Sequence, residues 1–195
     1  MTPWTPQAAY RRLLLVLIAA CTLLMPAALA ADSPGFVLAA SDLRSEESNY
    51  YLNARFEVDL SREAEEALRS GVPLAVDMEI RVLRPRRWWW DAELADFSLR
   101  MELRYHALSR RYVVHNHDTG ERRTFFRRDA ALNAWASVAS QVVIERDRLQ
   151  AGERYQVQLR ARLNTDTLPH PLRTVALVDP EWRLVSEWYT WPLDG

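Results

Sequence analysis

The sequence predicts a mainly β protein, an antiparallel β-sandwich with two short helices. Three observations carry this. Four stretches, 50–60, 74–82, 97–105 and 155–163, alternate apolar and polar residues with period two, as strands do when one face is buried and the other wet. Asp118-Thr119-Gly120 separates two short runs rich in β-formers, Tyr112-Val113-Val114 and Thr124-Phe125-Phe126, and reads as a hairpin turn. Helical spacing is confined to two short segments, one after Ser61 and one around Asp129.

Taken in order, the chain opens on a segment expected to direct export and to be removed. Arg11 and Arg12 precede an apolar run, Leu13 to Leu24, interrupted only by Cys21 and Thr22. Pro26 ends it, and Ala28-Leu29-Ala30 supplies the small-x-small pattern that a signal peptidase reads. Residues 1–30 are therefore a predicted signal peptide, cleaved after Ala30, and 31–195 a single domain in the periplasm. Two alternatives stand beside this: a lipoprotein acylated at Cys21, and an uncleaved anchor over Leu13 to Ala31, close to the ~20 residues that span a bilayer.

The first strand is expected at 36–43. In 50–60, Tyr50, Leu52, Ala54, Phe56, Val58 and Leu60 share the core face. Ser61 caps a helix with Ala64, Ala67 and Leu68 on one side, and Gly71 stops it. In 74–82, Leu74, Val76, Met78, Ile80 and Val82 point inward, and in 97–105 Phe97, Leu99, Met101, Leu103 and Tyr105 do so. The polar faces carry Asp77, Glu79 and Arg81 on one strand and Arg100, Glu102 and Arg104 on the other, which pair across strands. Short strands follow at 111–117 and 121–126. Asp129 is placed as the cap of a second helix, with Leu132, Trp135, Val138 and Ala139 on its apolar side. Further strands are expected at 141–145, 173–178 and 183–191, with Pro169-His170-Pro171 as a stiff extended connector. In 155–163, Tyr155, Val157, Leu159, Ala161 and Leu163 point inward. The pattern Leu149-x-x-Gly152-x-x-Tyr155-x-Val157-x-Leu159 resembles the tyrosine-corner strand of immunoglobulin- and fibronectin-like sandwiches, whose tyrosine bonds back to the preceding connection.

Composition narrows the chemistry. The chain carries 25 basic residues against 26 acids, a net charge of −1, which argues against nucleic acid as a partner. It has no lysine, so every basic side chain is a guanidinium, suited to bidentate pairing and to stacking on aromatic rings. The one cysteine lies in the leader, so the domain has neither a disulfide nor a thiol nucleophile. The five glycines stand apart, which excludes a phosphate-cradling glycine loop and a nucleophile elbow. No cofactor is expected.

His115 and His117 are the weak metal candidates, because alternate strand residues project to one face. A third ligand would have to come from His106, His170 or a distant carboxylate, so no metal is expected. The carboxylate pairs Glu46-Glu47 and Glu65-Glu66 are read as solvated. So are the arginine pairs Arg110-Arg111, Arg122-Arg123 and Arg127-Arg128, whose functional alternative is an anion-binding face. No catalytic residues are assigned.

The most distinctive stretch is "RPRRWWWDAE", residues 84–93. Tryptophan and arginine are the enriched anchors of protein interfaces, and tryptophan also favours the lipid headgroup zone. Arg84, Arg86, Arg87, Trp88, Trp89 and Trp90 are therefore the predicted interaction surface. They lie in a connection of fourteen residues between the strands 74–82 and 97–105. Alternation would turn Trp88 and Trp90 inward and leave Trp89 and the arginines out.

"GVPLAVDMEIRVLRPRRWWWDAELA", "RYHALSRRYVVHNHDTGERRTF", "LQAGERYQVQLRARLNTDTLPHPLR" and "EWRLVSEWYTWPL" together resemble a proteobacterial family of small exported proteins, domain of unknown function 4390. The resemblance runs through nearly all of 36–193. It implies an envelope location and, from the genes that accompany the family, a membrane sensor kinase of the nitrogen-regulation type as a partner. It implies no activity and no site residues. Two functions are thus in play: a non-enzymatic binding module that contacts an envelope protein or lipid headgroups, and a periplasmic metal-dependent or acid/base hydrolase centred on His115 and His117.

Overall fold

The computed structural model describes residues 34–86 and 91–194. Within them nine strands form two antiparallel sheets. The smaller holds β1 (Gly35–Glu46), β2 (Asn49–Asp59) and β7 (Ser137–Glu145), with β2 in the middle. The larger holds β3 (Leu74–Arg84), β4 (Ala92–His106), β5 (Arg111–Asn116), β6 (Arg122–Phe125), β8 (Arg154–Asn164) and β9 (Tyr189–Asp194), in the order β6-β5-β4-β3-β8-β9. One sheet is curled as a half-barrel. Both contribute to a single core. Leu52 and Phe56 of β2, Val76, Met78, Ile80 and Val82 of β3, and Val157, Leu159 and Ala161 of β8 are all fully buried within it. These are the inward residues of the period-two stretches. On β4 only Leu103 is fully buried, and Phe97, Leu99, Met101 and Tyr105 are covered in part.

Helix α1 (Arg62–Arg69) starts and stops as its sequence dictates. The Ser61 hydroxyl accepts the Ala64 N–H at 3.2 Å. Ala64, Ala67 and Leu68 are buried. At the other end Gly71, with φ +86°, donates to the Leu68 carbonyl, and Val72 donates to that of Ala67. This is a Schellman ending, which needs a left-handed residue where glycine stands.

The Tyr155 hydroxyl accepts the Gln150 N–H at 2.9 Å, and its ring is buried, as the corner pattern requires. In the β5–β6 turn Gly120 has φ +74°. The Asn116 side chain accepts the N–H groups of Asp118 and Thr119 at 2.9 and 3.1 Å, and Asp118 accepts the Arg100 N–H at 2.8 Å, latching the turn to β4.

Several expectations are corrected. The described residues contain three α-helices rather than two, because 173–178 is not a strand. It belongs to α3 (His170–Val178). Pro171 sits in the first turn, where a missing N–H costs nothing, so the prolines open a helix rather than an extended connector. Asp129 does not cap α2 (Arg128–Trp135). The helix begins one residue before it, which places its carboxylate in the first turn and leaves it to act on the helix dipole. Val138 and Ala139 fall in β7, since the helix stops at Trp135, whose indole donates to the Met101 carbonyl at 2.9 Å. Of 183–191, only the end is a strand: β9 begins at Tyr189, and Val185 makes an isolated bridge to Arg162.

Candidate functional site

The β3–β4 hairpin is longer than its sequence foretold. Both strands extend past the predicted ends, with Leu83 opposite Glu93 and Arg84 opposite Ala92 after a register shift at Val82/Leu83. The connection is therefore residues 85–91, not fourteen residues. Of the predicted interaction surface, Arg84 is half-buried at the strand end and donates to the Gln150 side chain at 3.0 Å. Arg86 is exposed, and its N–H is held by Asp91 at 3.2 Å. Arg87, Trp88, Trp89 and Trp90 lie outside the described residues, as does Cys21 with the whole leader.

The strands that carry this tip are bound along their outer face by a ladder of charges. Asp77 is 4% exposed and receives Arg100 through Nε at 2.8 Å and Nη2 at 3.2 Å, with the Asn164 amide at 2.6 Å. Glu79 receives Arg160 at 2.9 Å and Arg162 at 3.0 Å. The guanidinium groups of Arg81 and Arg160 both lie over the Trp188 ring, at 4.7 and 4.4 Å from its centroid. Arg81 Nε is 3.3 Å from Asp96, but its N–H is not aligned on the carboxylate and has no hydrogen-bond partner. These rungs join β4, β3 and β8, so the tip grows from a stiff base.

His115 and His117 do share a face. Their rings lie tilted at 42° with centroids 4.3 Å apart, and His117 Nε2 is 3.3 Å from Glu102. With Arg104, His106, Val113 and Arg122, His115 and Glu102 line a shallow polar hollow of about 240 Å³. Burial, then the positive potential of His117 and Arg122, hold the His115 imidazole below its ordinary value, against the opposing pull of Glu102. Among the described residues, no three His, Cys, Asp or Glu side chains converge as a metal site. Of the surface charges, Glu65 is paired with both Arg128 and Arg69, and Arg111 and Arg123 lie over Phe126 and Phe125. One arginine of each pair thus has a partner of its own, Phe126 for Arg111, Phe125 for Arg123 and Glu65 for Arg128.

A second feature has no counterpart in the sequence reading. α1 and α3 enclose a groove of about 400 Å³. Its floor is Ala67, Val72, Leu172, Val175 and Trp182, and Glu63, Glu66 and Asp179 stand on its rim. Its two sides lie about a hundred residues apart in the chain and meet only through the fold. The one local signal was the spacing of Leu172, Val175 and Ala176, which fits a helix face once 170–178 is not read as extended.

The sequence matches the family described as Domain of unknown function (DUF4390) over residues 33–192. The chain belongs to that family. The match takes in both sheets, the β3–β4 tip and the groove. No curated protein and no solved structure matches the chain. Among the described residues, no helix is long and apolar enough to cross a membrane.

Proposed function

We propose that this family member is a non-enzymatic binding module of the cell envelope, exported by cleavage after Ala30, whose contact surface is the arginine–tryptophan tip of the β3–β4 hairpin. The observation that carries the reading is the setting of the tip. A short connection holding Arg86 in solvent and the sequence Arg87-Trp88-Trp89-Trp90 is mounted on strands stiffened by the Asp77 and Glu79 ladder. A rigid mount lowers the ordering cost of binding, and arginine beside tryptophan is the composition of an interface hot spot. The partner it fits is a protein surface offering carboxylates beside apolar side chains. An extracytoplasmic part of a membrane sensor kinase is the specific candidate, with lipid headgroups as the competing contact. The Tyr155 corner supports the finer reading of the two sheets as an immunoglobulin/fibronectin-like sandwich.

The test replaces Trp88, Trp89 and Trp90 by alanine one at a time, and reads unfolding stability alongside recovery of crosslinked envelope partners. A contact ring leaves stability nearly unchanged and lowers recovery. A ring that packs inward costs roughly 3–5 kcal/mol. Strong destabilisation in all three variants, with association unaltered, would make the run structural and end the reading. Intact mass of the exported protein tests the cleavage: an N-terminus at Ala31 is expected, and a lipid-bearing Cys21 or a retained Met1 would overturn it.

A further inference from the structure

The groove between α1 and α3 and the hairpin tip are matched in chemistry and sit at opposite ends of one strand. The groove offers an apolar floor, with Val175 still 47% exposed, and a rim of three carboxylates, Glu63, Glu66 and Asp179. Arg62 reaches one oxygen of Glu63 at 3.3 Å. The other, Oε2, is shielded from solvent and has no hydrogen-bond partner, an arrangement that favours an incoming donor. The tip offers the converse, with Arg84, Arg86 and Arg87 preceding three indoles. Val72 in the groove lies just before β3, and Arg84 ends it. At about 3.4 Å per residue the two are roughly 40 Å apart. A seven-residue connection anchored at both ends reaches only about 12 Å, so a tip cannot fill the groove of its own chain.

We propose that the groove receives the arginine–tryptophan tip of a second copy of this chain, so that copies associate head to tail. The inference rests on the reading of the tip as a contact surface and names one occupant for the groove. Indoles cover Ala67, Val72, Leu172 and Val175, and guanidinium groups meet the carboxylate oxygens that Glu63, Glu66 and Asp179 leave open, beside the Arg62 contact to Glu63 and the Glu181 N–H that Asp179 accepts. A contact between two different surfaces of the same chain is heterologous, so its products are rings or open chains rather than a closed two-fold dimer. The tip is then shared: a copy whose tip is seated in a neighbour is withheld from an envelope partner.

The test is sedimentation velocity of the full chain at rising concentration, with one variant for each surface. Ser70→Trp fills the groove from an exposed position on its wall. Arg86→Glu with Arg87→Glu reverses the tip. Wild type is expected to grow beyond the dimer as concentration rises. Each variant alone stays monomeric, its dissociation constant raised at least about tenfold. The two variants mixed in equal amounts form a one-to-one dimer and stop there, because one sound tip meets one sound groove and the remaining ends are blocked. Matching circular dichroism melts establish that the variants fold. Wild type that remains monomeric throughout, or a mixture that forms no dimer, overturns the proposal and leaves the groove to a different occupant. Recovery of envelope partners separates the two readings: Ser70→Trp keeps it under the binding-module reading, and the tip variant loses it.

Discussion

At residue scale, Tyr155 ties the start of β8 to the connection that precedes it. Its place was legible because a corner tyrosine needs a fixed number of residues between its strand and the connection it bonds, and that spacing is local. The hydroxyl holds the Gln150 N–H, so Tyr155→Phe should cost on the order of 1 kcal/mol, the value of a single hydrogen bond lost without a cavity. Urea unfolding measures it, and an unchanged midpoint would show that water replaces the hydroxyl. Asp77 was legible only as an outward-facing carboxylate. The alternation says which face it takes, but burial of that face depends on Arg100, Arg162 and Asn164 arriving from β4 and β8. Asp77→Ala strands an arginine fork and an amide, and should cost about 2–3 kcal/mol, the scale of hydrogen bonds to a charged group. A cost within the ±0.5 kcal/mol of an ordinary surface substitution would mean the ladder contributes little.

At the scale of elements, period two located the long strands because a one-residue error would turn every apolar side chain to solvent. α3 was missed for the opposite reason. Nine residues that open with His-Pro and continue Leu-Arg-Thr-Val-Ala-Leu-Val satisfy a short strand and a short helix equally, and packing against the turns Thr165–Thr167 and Pro180–Trp182 decides. The β5 strand carries a pH-dependent property that its sequence only hinted at. His115 is held below its ordinary value, first by burial and then by His117 and Arg122. The unfolded chain therefore binds a proton more readily than the folded one between the depressed value and the ordinary ~6.5, and stability falls as pH drops through that window. Melting temperatures measured from pH 7.5 downward should decline less steeply for His115→Gln than for wild type. Coincident profiles would place the His115 ring in effectively bulk surroundings. The hollow around it holds Glu102 and Arg122 besides, so the difference between the two profiles, not either alone, isolates the ring.

At the scale of the whole molecule, what the sequence could not supply is how the two sheets close on each other, since strand order is set by contacts between distant residues. Their edges are tied on one side by β9. The Tyr189 hydroxyl accepts the Leu38 N–H of β1 at 3.1 Å, and its ring meets Phe56 edge-on at 5.9 Å. The Tyr50 hydroxyl of β2 donates to the Asp194 carbonyl at 2.7 Å. Elsewhere, β4 and β5 face α2 and β7 across a cleft of about 170 Å³ lined by Leu99, Met101, Val114 and Val138, which is why Leu99 and Met101 of β4 are only partly covered. The β9 seam is thus a closure made of a few bonds, and Tyr189 combines two of its contacts. Tyr189→Ala should cost about 2–3 kcal/mol, below the 3–5 of a fully buried ring because Tyr189 is half-exposed. Tyr189→Phe, which keeps the ring against Phe56, should cost about 1 kcal/mol. Hydrogen exchange distinguishes a seam from a local contact: loss of Tyr189 should speed exchange at Leu38 and along β1 while β3 and β8 keep their protection. Uniform acceleration across both sheets would instead mean that they unfold as one unit, with β9 no more a closure than any other strand.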